Sequence, residues 1–433
     1  VTAPHPPDIG ARLFAHVEAL FPLPRSVTGP GLRATLDHIG REIPLARHEV
    51  PSGTRVLDWE VPPEWTPRSA VLETLDGRRI LDFADHTLHL VGYSPPVDRV
   101  VLREELERHL HSLPAQPDLI PYRTSTYRPD WGFCLPHRLR ATLDEPAYRV
   151  RIDTTLAPGA LSRGECAIPG EGAGEVLVSA HCCHPSLADD NLSGVALAIE
   201  WAKAVAARPR RRFTWRFLFA PGTIGAIAWL AANRDAAARV RHGLVLTCLG
   251  DASPFRWKRS RREDAAIDRI SAHVLRHEAP DNAVLPFAPD GYDERQFGSP
   301  GFDLPVGRLS RGVHGTFPEY HTSADNLDFV RPAHLARSFG VLRAIEAVLE
   351  EDEVLVNVAP HGEPQLGRRG LHGAPGVDGA ALLWVLNQSD GRRSLFDIAE
   401  RADLPFAAIQ AAAEAARTAG LLRPVSTGAL AGS

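Results

Sequence analysis

No apolar run in this chain approaches the roughly 18–20 residues needed to cross a bilayer. The longest candidate, GVALAIEWAKAVAA, is interrupted by Glu200 and Lys203 at helical spacing. The opening residues, VTAPHPPDIGARLFAHVEALF, lack a basic stretch followed by an unbroken apolar one, so no secretory leader is expected. Cysteine is scarce and odd in number. Cys134, Cys166, Cys182, Cys183 and Cys248 are scattered, unlike a secreted disulfide framework, and a reducing cytoplasm is the expected location. Adjacent Cys182 and Cys183 on a strand would face opposite sides, which reads as two small buried hydrophobes rather than joint metal ligands. An excess of one charge is also lacking: 48 basic against 53 acidic residues give a net charge of −5, so no global field recruits nucleic acid or anionic membrane. What is present is ordinary globular material, 44% hydrophobic and 23% charged over 433 residues, enough for two or three domains.

Residues 11–43 read as a helix pair broken at PLPRSVTGPG. From about 48 to 100, short Val/Leu/Ile runs alternate with turns such as LDGRRI, the pattern of β-hairpins. VLREELERHLHSL reads as a helix. From about 147 to 350, strand candidates EVLVSA, RFTWRFLFA and HGLVLTCLG alternate with helical segments, which predicts a sheet with helices on both faces. Ligands of such sheets lie beyond the carboxyl ends of the strands, where AHCCHPS, APGTIG and CLGDAS fall. After about 353, helix, turn, helix, turn, helix and a short strand outline a winged helix. The expected division is a discontinuous α/β domain of residues 1–47 and 130–352, a β-rich insertion of 48–129, and a winged-helix-like domain of 353–433.

A hydrolytic zinc site needs neutral imidazoles and carboxylates, an open position for water, and usually a carboxylate base. In SAHCCHPSLADDNLSG, His181 and His184 end a strand and Asp190 follows in an Asp-Asp-Asn turn. Helix capping near Ser193 would explain one aspartate, but not two histidines in front of it. A second polar loop, FPEYHTSADN, carries Glu319, Tyr320, His321, Thr322 and Asp325, and Asp251 lies just past another strand.

These motifs resemble the di-zinc aminopeptidase family, which includes glutaminyl cyclases. AHCCHPSLADDNLSG is similar to its metal-binding turn, and HTSADN to its closing His-Thr-x-x-Asp motif. PRSVTGPG, VPSGTRVLDWEVPPEW, IPYRTSTY, WGFCLPH, EPQLGRRGL and LWVLNQSDG extend a closer resemblance over nearly the whole chain. That closer group is an uncharacterised bacterial one with an aminopeptidase-like domain, a β insertion and a C-terminal winged helix. The resemblance implies zinc held by His181 or His184, Asp190, Asp251 and His321, with hydrolysis of a peptide or aminoacyl-amide C–N bond.

The chain departs from the wider pattern where a strand should end in two glutamates, base and then ligand. FLFAPGTIG puts Gly222 and Thr223 there, whereas the closer group resembles Pro-Glu-Thr-Ile-Gly. One zinc per chain is therefore expected, and the base must come from elsewhere: Glu319, Asp293 and Glu294 are the candidates. Asp293, Glu294 and Arg295 read either as a solvated loop or as a contact for a substrate ammonium. The run RWKRSRR, with Lys258 and Arg261, reads either as a solvated face or as a contact for a substrate carboxylate or phosphate. Tyr320, beside His321, is expected as a further substrate contact. A catalytically impaired metal-binding scaffold or biosynthetic accessory protein is the alternative. The winged helix offers few base-reading side chains on PFAAIQAAAEAARTA, so packing against the catalytic domain or a second copy is expected rather than DNA binding.

Overall fold

The computed structural model describes residues 8–425. They fall into two units, one of residues 8–265 and 283–338, the other of 266–282 and 339–425. Among the described residues, no helix is long and apolar enough to cross a membrane.

The first unit is built on eight strands: β1 (Ala46–Pro51), β2 (Ala160–Ile168), β3 (Glu175–His181), β4 (Thr214–Ala220), β5 (Val240–Leu246), β6 (Arg256–Lys258), β7 (Ala283–Leu285) and β8 (Val306–Ser310). They form one sheet in the order β1-β2-β4-β3-β5-β8-β6-β7. The inner four, β4, β3, β5 and β8, are parallel, so the loops that follow them open on one edge. Every residue of β3 is buried, as in a strand covered on both faces. Successive side chains of β4 point to opposite faces. On one face, Trp215 and Phe217 meet Trp201 of the helix α1 (Gly194–Ala206) at 5.1 and 6.0 Å between ring centroids. On the other, Leu218 and Ala220 pack with Trp229 of α2 (Ile224–Ala232). The expected α/β arrangement with helices on both faces is what forms.

A second, antiparallel sheet of this unit takes Arg79–Asp82, Glu64–Thr74, Ala147–Ala157 and Val97–Leu102 in that order. It covers a core that includes Trp65, Phe133 and Tyr148. The sheets divide the chain differently from an insertion spanning 48–129. β1 pairs with β2 in the large sheet, and the small sheet reaches forward to Ala157. The expected helix VLREELERHLHSL forms in its middle and is shorter than expected: Arg103–Leu106 is α-helical and Glu107–His109 continues as a 3-10 turn, while Val101–Leu102 ends the strand Val97–Leu102 and Leu110–His111 is a short strand. Val100 and Val101 pair with Arg149 and Tyr148, and this tertiary partner overrides the helical spacing of the segment.

The second unit holds helices Ala266–Glu278, Gly379–Gln388, Leu395–Ala402 and Phe406–Thr418. Its three-stranded sheet places Val354–Asn357 between Asp390–Ser394 and Leu422–Pro424. The link between the first two of the winged-helix helices is therefore a strand, Asp390–Ser394. Ser394 and Asp397 form a capping box at the start of Leu395–Ala402. Arg417, the only basic residue of Phe406–Thr418, is paired with Glu353.

Candidate metal centre

The loop after β3 is fixed by its own polar side chains. Asn191 Nδ2 donates to Leu246 O at 2.9 Å and to His181 O at 3.3 Å, tying the loop to the ends of β5 and β3. Ser193 Oγ donates to Asp189 O (2.7 Å) and accepts from Leu249 N–H (3.0 Å). Gly194 is required next: a Cβ there would sit 2.5 Å from Leu246 O. Asp325 supplies the outer clamp. Its Oδ1 accepts Asp189 N–H at 2.6 Å, its Oδ2 accepts Asp190 N–H at 3.0 Å, and its backbone carbonyl accepts Ala188 N–H at 3.1 Å. The Asp-Asp-Asn-x-Ser-Gly run is thus a set of backbone anchors that leaves Asp190 aimed inward.

His181, His184 and Asp190 bring three ligand atoms within 4.8 Å of one another. His181 Nε2 lies 2.9 Å from Asp190 Oδ1, yet neither atom forms an aligned hydrogen bond, and His181 Nδ1 is also unpartnered. Buried polar atoms left unpaired are costly. Buried ligand atoms that converge without an aligned hydrogen bond fit a cation held between them. His321 Nε2 approaches the other carboxylate oxygen, Asp190 Oδ2, at 2.9 Å. Burial opposes ionisation of Asp190, but the imidazoles of His184, His181 and His321 outweigh it and hold the carboxyl well below its usual range. Burial lowers His184 to about 3, so its ring is neutral and able to ligate. His321 itself has φ +56°, a left-handed conformation that a non-glycine residue adopts only when held. Tyr122 holds it: its N–H donates to His321 O at 2.8 Å, and Pro121 bridges Thr322. The rings of Tyr122, Tyr292 and Tyr320 wall the cluster, Tyr122 at 5.0 Å from His184, Tyr292 stacked 5.1 Å from His181 and Tyr320 stacked 4.0 Å from His321.

Gly222 follows the end of β4, beside His181. A Cβ at Gly222 would lie 3.7 Å from Cys183 Sγ and 3.8 Å from His181 Cβ, ordinary contact distances, and its φ is not positive. Thr223 does have φ +63°; its N–H donates to Asp293 Oδ1 at 2.7 Å, and Arg295 reaches its hydroxyl at 3.4 Å. The buried Asp293 carboxyl therefore stands behind the two positions where the glutamates are missing. Burial raises it to about 6, against the opposing pull of His181.

The other candidates separate. Asp251 lies outside the His181–His184–Asp190 group and is bonded to Ser253, and Gly250 N–H, just before it, donates to Asp189 Oδ1 at 2.6 Å. Glu294 opens the short helix Glu294–Phe297, not a solvated loop. It is fully buried between Lys258 Nζ (3.0 Å) and Arg308 (3.4 Å), so neither Glu294 nor Lys258 faces solvent. Arg261 is bound to Asp303 on the surface. Glu319 lies on the loop before His321, its carbonyl accepting Thr322 N–H.

Three residues escaped the motif reading. Tyr122 and Tyr292 had no signal beyond being aromatic in loops. Arg25, in PRSVTGPG, is 1% exposed and donates from Nε to His184 O at 2.8 Å; a lone arginine before a helix gives no hint of that reach.

A family model described as "Domain of unknown function (DUF4910)" matches residues 14–352, and one described as winged helix-turn-helix matches 353–424. A Clostridium acetobutylicum protein, provisionally named for polysaccharide biosynthesis with an aminopeptidase-like domain, is 43% identical over 96% of this chain and 97% of its own. A crystal structure from Clostridium acetobutylicum, provisionally described as a peptidase, superposes with a TM-score of 0.92 at 43% identity, covering 96% of each chain. A zinc aminopeptidase from Bacillus subtilis shares the fold, with a TM-score of 0.57 at 14% identity over 79% of this chain and 95% of that one.

Proposed function

The chain belongs to the DUF4910 family, and from that premise we propose that it is a zinc-dependent hydrolase of an amide or peptide C–N bond. The observation that carries this reading is the pair His181 Nε2 and Asp190 Oδ1, 2.9 Å apart, buried and without a hydrogen bond. The donor set, imidazole nitrogens and a carboxylate, suits zinc. His181, His184 and Asp190 would hold the ion, with His321 on the far oxygen of Asp190. Zinc at such a site supplies Lewis-acid polarisation of a carbonyl and acidification of water.

The chain's own residues then divide the remaining work. Asp293, held by Thr223 N–H beside the vacant glutamate position, takes the proton of the attacking water, and its value of about 6 suits a base working near neutrality. Asp325 and Tyr122 position the aspartate and His321. The tyrosine walls narrow the access of bulk water to the cluster. The name of the Clostridium acetobutylicum relative supports an amide carried by a saccharide as the substrate.

The test is turnover of aminoacyl amides and N-acyl amino sugars by zinc-loaded protein, compared with Asp293→Asn. Loss of the base should lower kcat about 10²- to 10⁴-fold with zinc retained. One observation favours the second reading, a metal-binding scaffold: Gly222 and Thr223 stand where a base and a ligand are usual. No turnover on either substrate class by folded, zinc-loaded protein would support it.

A further inference from the structure

Two exposed aromatic rings meet on segments tied to the surroundings of the His181–His184–Asp190 cluster. Trp59 and Tyr127 meet edge to face, with centroids 5.3 Å apart at 76°, and they are 37% and 52% exposed. The chain's other seven tryptophans are more buried, so Trp59 is an exception that core packing does not explain.

The rings come from segments tied to two flanks of the cluster. Trp59 lies in the hairpin that pairs Arg55–Val56 with Trp59–Glu60. Val56 of that hairpin packs with Ile224 and Ile227, immediately after Gly222 and Thr223. Tyr127 follows the segment that grips His321, in which Tyr122 donates its N–H to His321 O and stands 5.1 Å from that ring. The contact between Trp59 and Tyr127 therefore joins the Gly222 flank to the His321 flank.

The surroundings are polar. Thr124 and Thr126 share a hydrogen bond of 2.9 Å just before Tyr127, and the exposed pair Arg55 and Asp58 lies just before Trp59 in the same hairpin. An apolar peptide side chain is best served by an enclosed greasy pocket. An open aromatic corner with a hydroxyl and ionic rim fits a different shape: a ring whose C–H face lies on the negative π face while its edge hydroxyls meet polar groups. A pyranose has that shape.

We propose that Trp59 and Tyr127 form a saccharide-binding subsite that stacks a pyranose ring at the approach to the metal centre. The choice of bond presented to Asp293 rests on the hydrolase reading above, whereas the sugar contact does not depend on turnover. The experiment is therefore a binding measurement. Zinc-loaded protein is titrated with chitotriose by calorimetry, and the accessibility of Trp59 is read by acrylamide quenching of tryptophan fluorescence. Wild type should bind and its quenching should fall. Trp59→Ala and Tyr127→Ala should each weaken binding by about tenfold at unchanged zinc content and melting temperature, and Trp59→Phe should restore much of it. His321→Ala should still bind chitotriose, which separates this subsite from the hydrolytic reading. No binding by wild type, equal affinity in Trp59→Ala, or the same protection of Trp59 by the sugar-free tripeptide Ala-Phe-Ala would overturn the proposal.

Discussion

Asp325 accepts the backbone N–H of Asp190 at 3.0 Å and that of Asp189 at 2.6 Å. Each oxygen of one buried carboxylate thus fixes one peptide of the loop that aims Asp190 at His181. Such supporting contacts set the geometry of a metal site almost as firmly as the ligands do. Asp325→Asn turns one acceptor into a donor facing an N–H. Zinc affinity, measured by chelator competition, should fall about 10- to 100-fold. An unchanged affinity in a folded variant would show that the loop holds itself.

Gly222→Glu should fold, since its Cβ meets nothing closer than 3.7 Å and its backbone carries no positive φ. The new carboxylate would start beside His181 and supply a second route for proton removal. Hydrolysis of an amide that the wild type cleaves should rise at least about tenfold. Unchanged turnover at full zinc loading would mean that Asp293 already meets the whole need for a base.

Glu200 is expected to set part of the acid stability. Its carboxylate, 3% exposed, receives Arg12 at 2.7 Å, Lys203 at 2.8 Å and His16 at 3.3 Å. Burial opposes its ionisation, but His16 and Lys203 prevail and lower it from 4.5 to about 2. A depressed folded value means the stabilisation is complete above about pH 4.5 and is lost as pH falls toward 2. Urea unfolding should find Glu200→Gln weaker than wild type by about 2–3 kcal/mol at pH 6, with the gap narrowing at about pH 3. A gap that stays constant with pH would contradict this linkage.

What the sequence disclosed followed from locality. His181, His184 and Asp190 lie within ten residues of one another, so a strand end and a tight turn suffice to bring them together. Three of the inner strands were legible for the same reason: β3, β4 and β5 each hold a short local apolar run, VLV, FLFA and LVL. Val101 and Leu102, the first residues of the expected helix VLREELERHLHSL, are strand because their partners Tyr148 and Ala147 lie far along the chain, and the helical spacing of the segment carries no trace of that pairing. Glu294 illustrates the same limit. In GYDERQF it looks solvated, yet it is buried because Lys258 and Arg308 arrive from separate strands. Asp293 was among the base candidates by composition alone, and its standing behind Thr223 became visible only in three dimensions.

The zinc content of the purified protein tests the central claim most directly. After loading and exhaustive removal of loosely bound ions, wild type should retain about one zinc per chain, because Thr223 offers no carboxylate for a second, and His181→Ala should retain none. Two tightly held ions per chain, or full zinc retention by folded His181→Ala, would contradict the account.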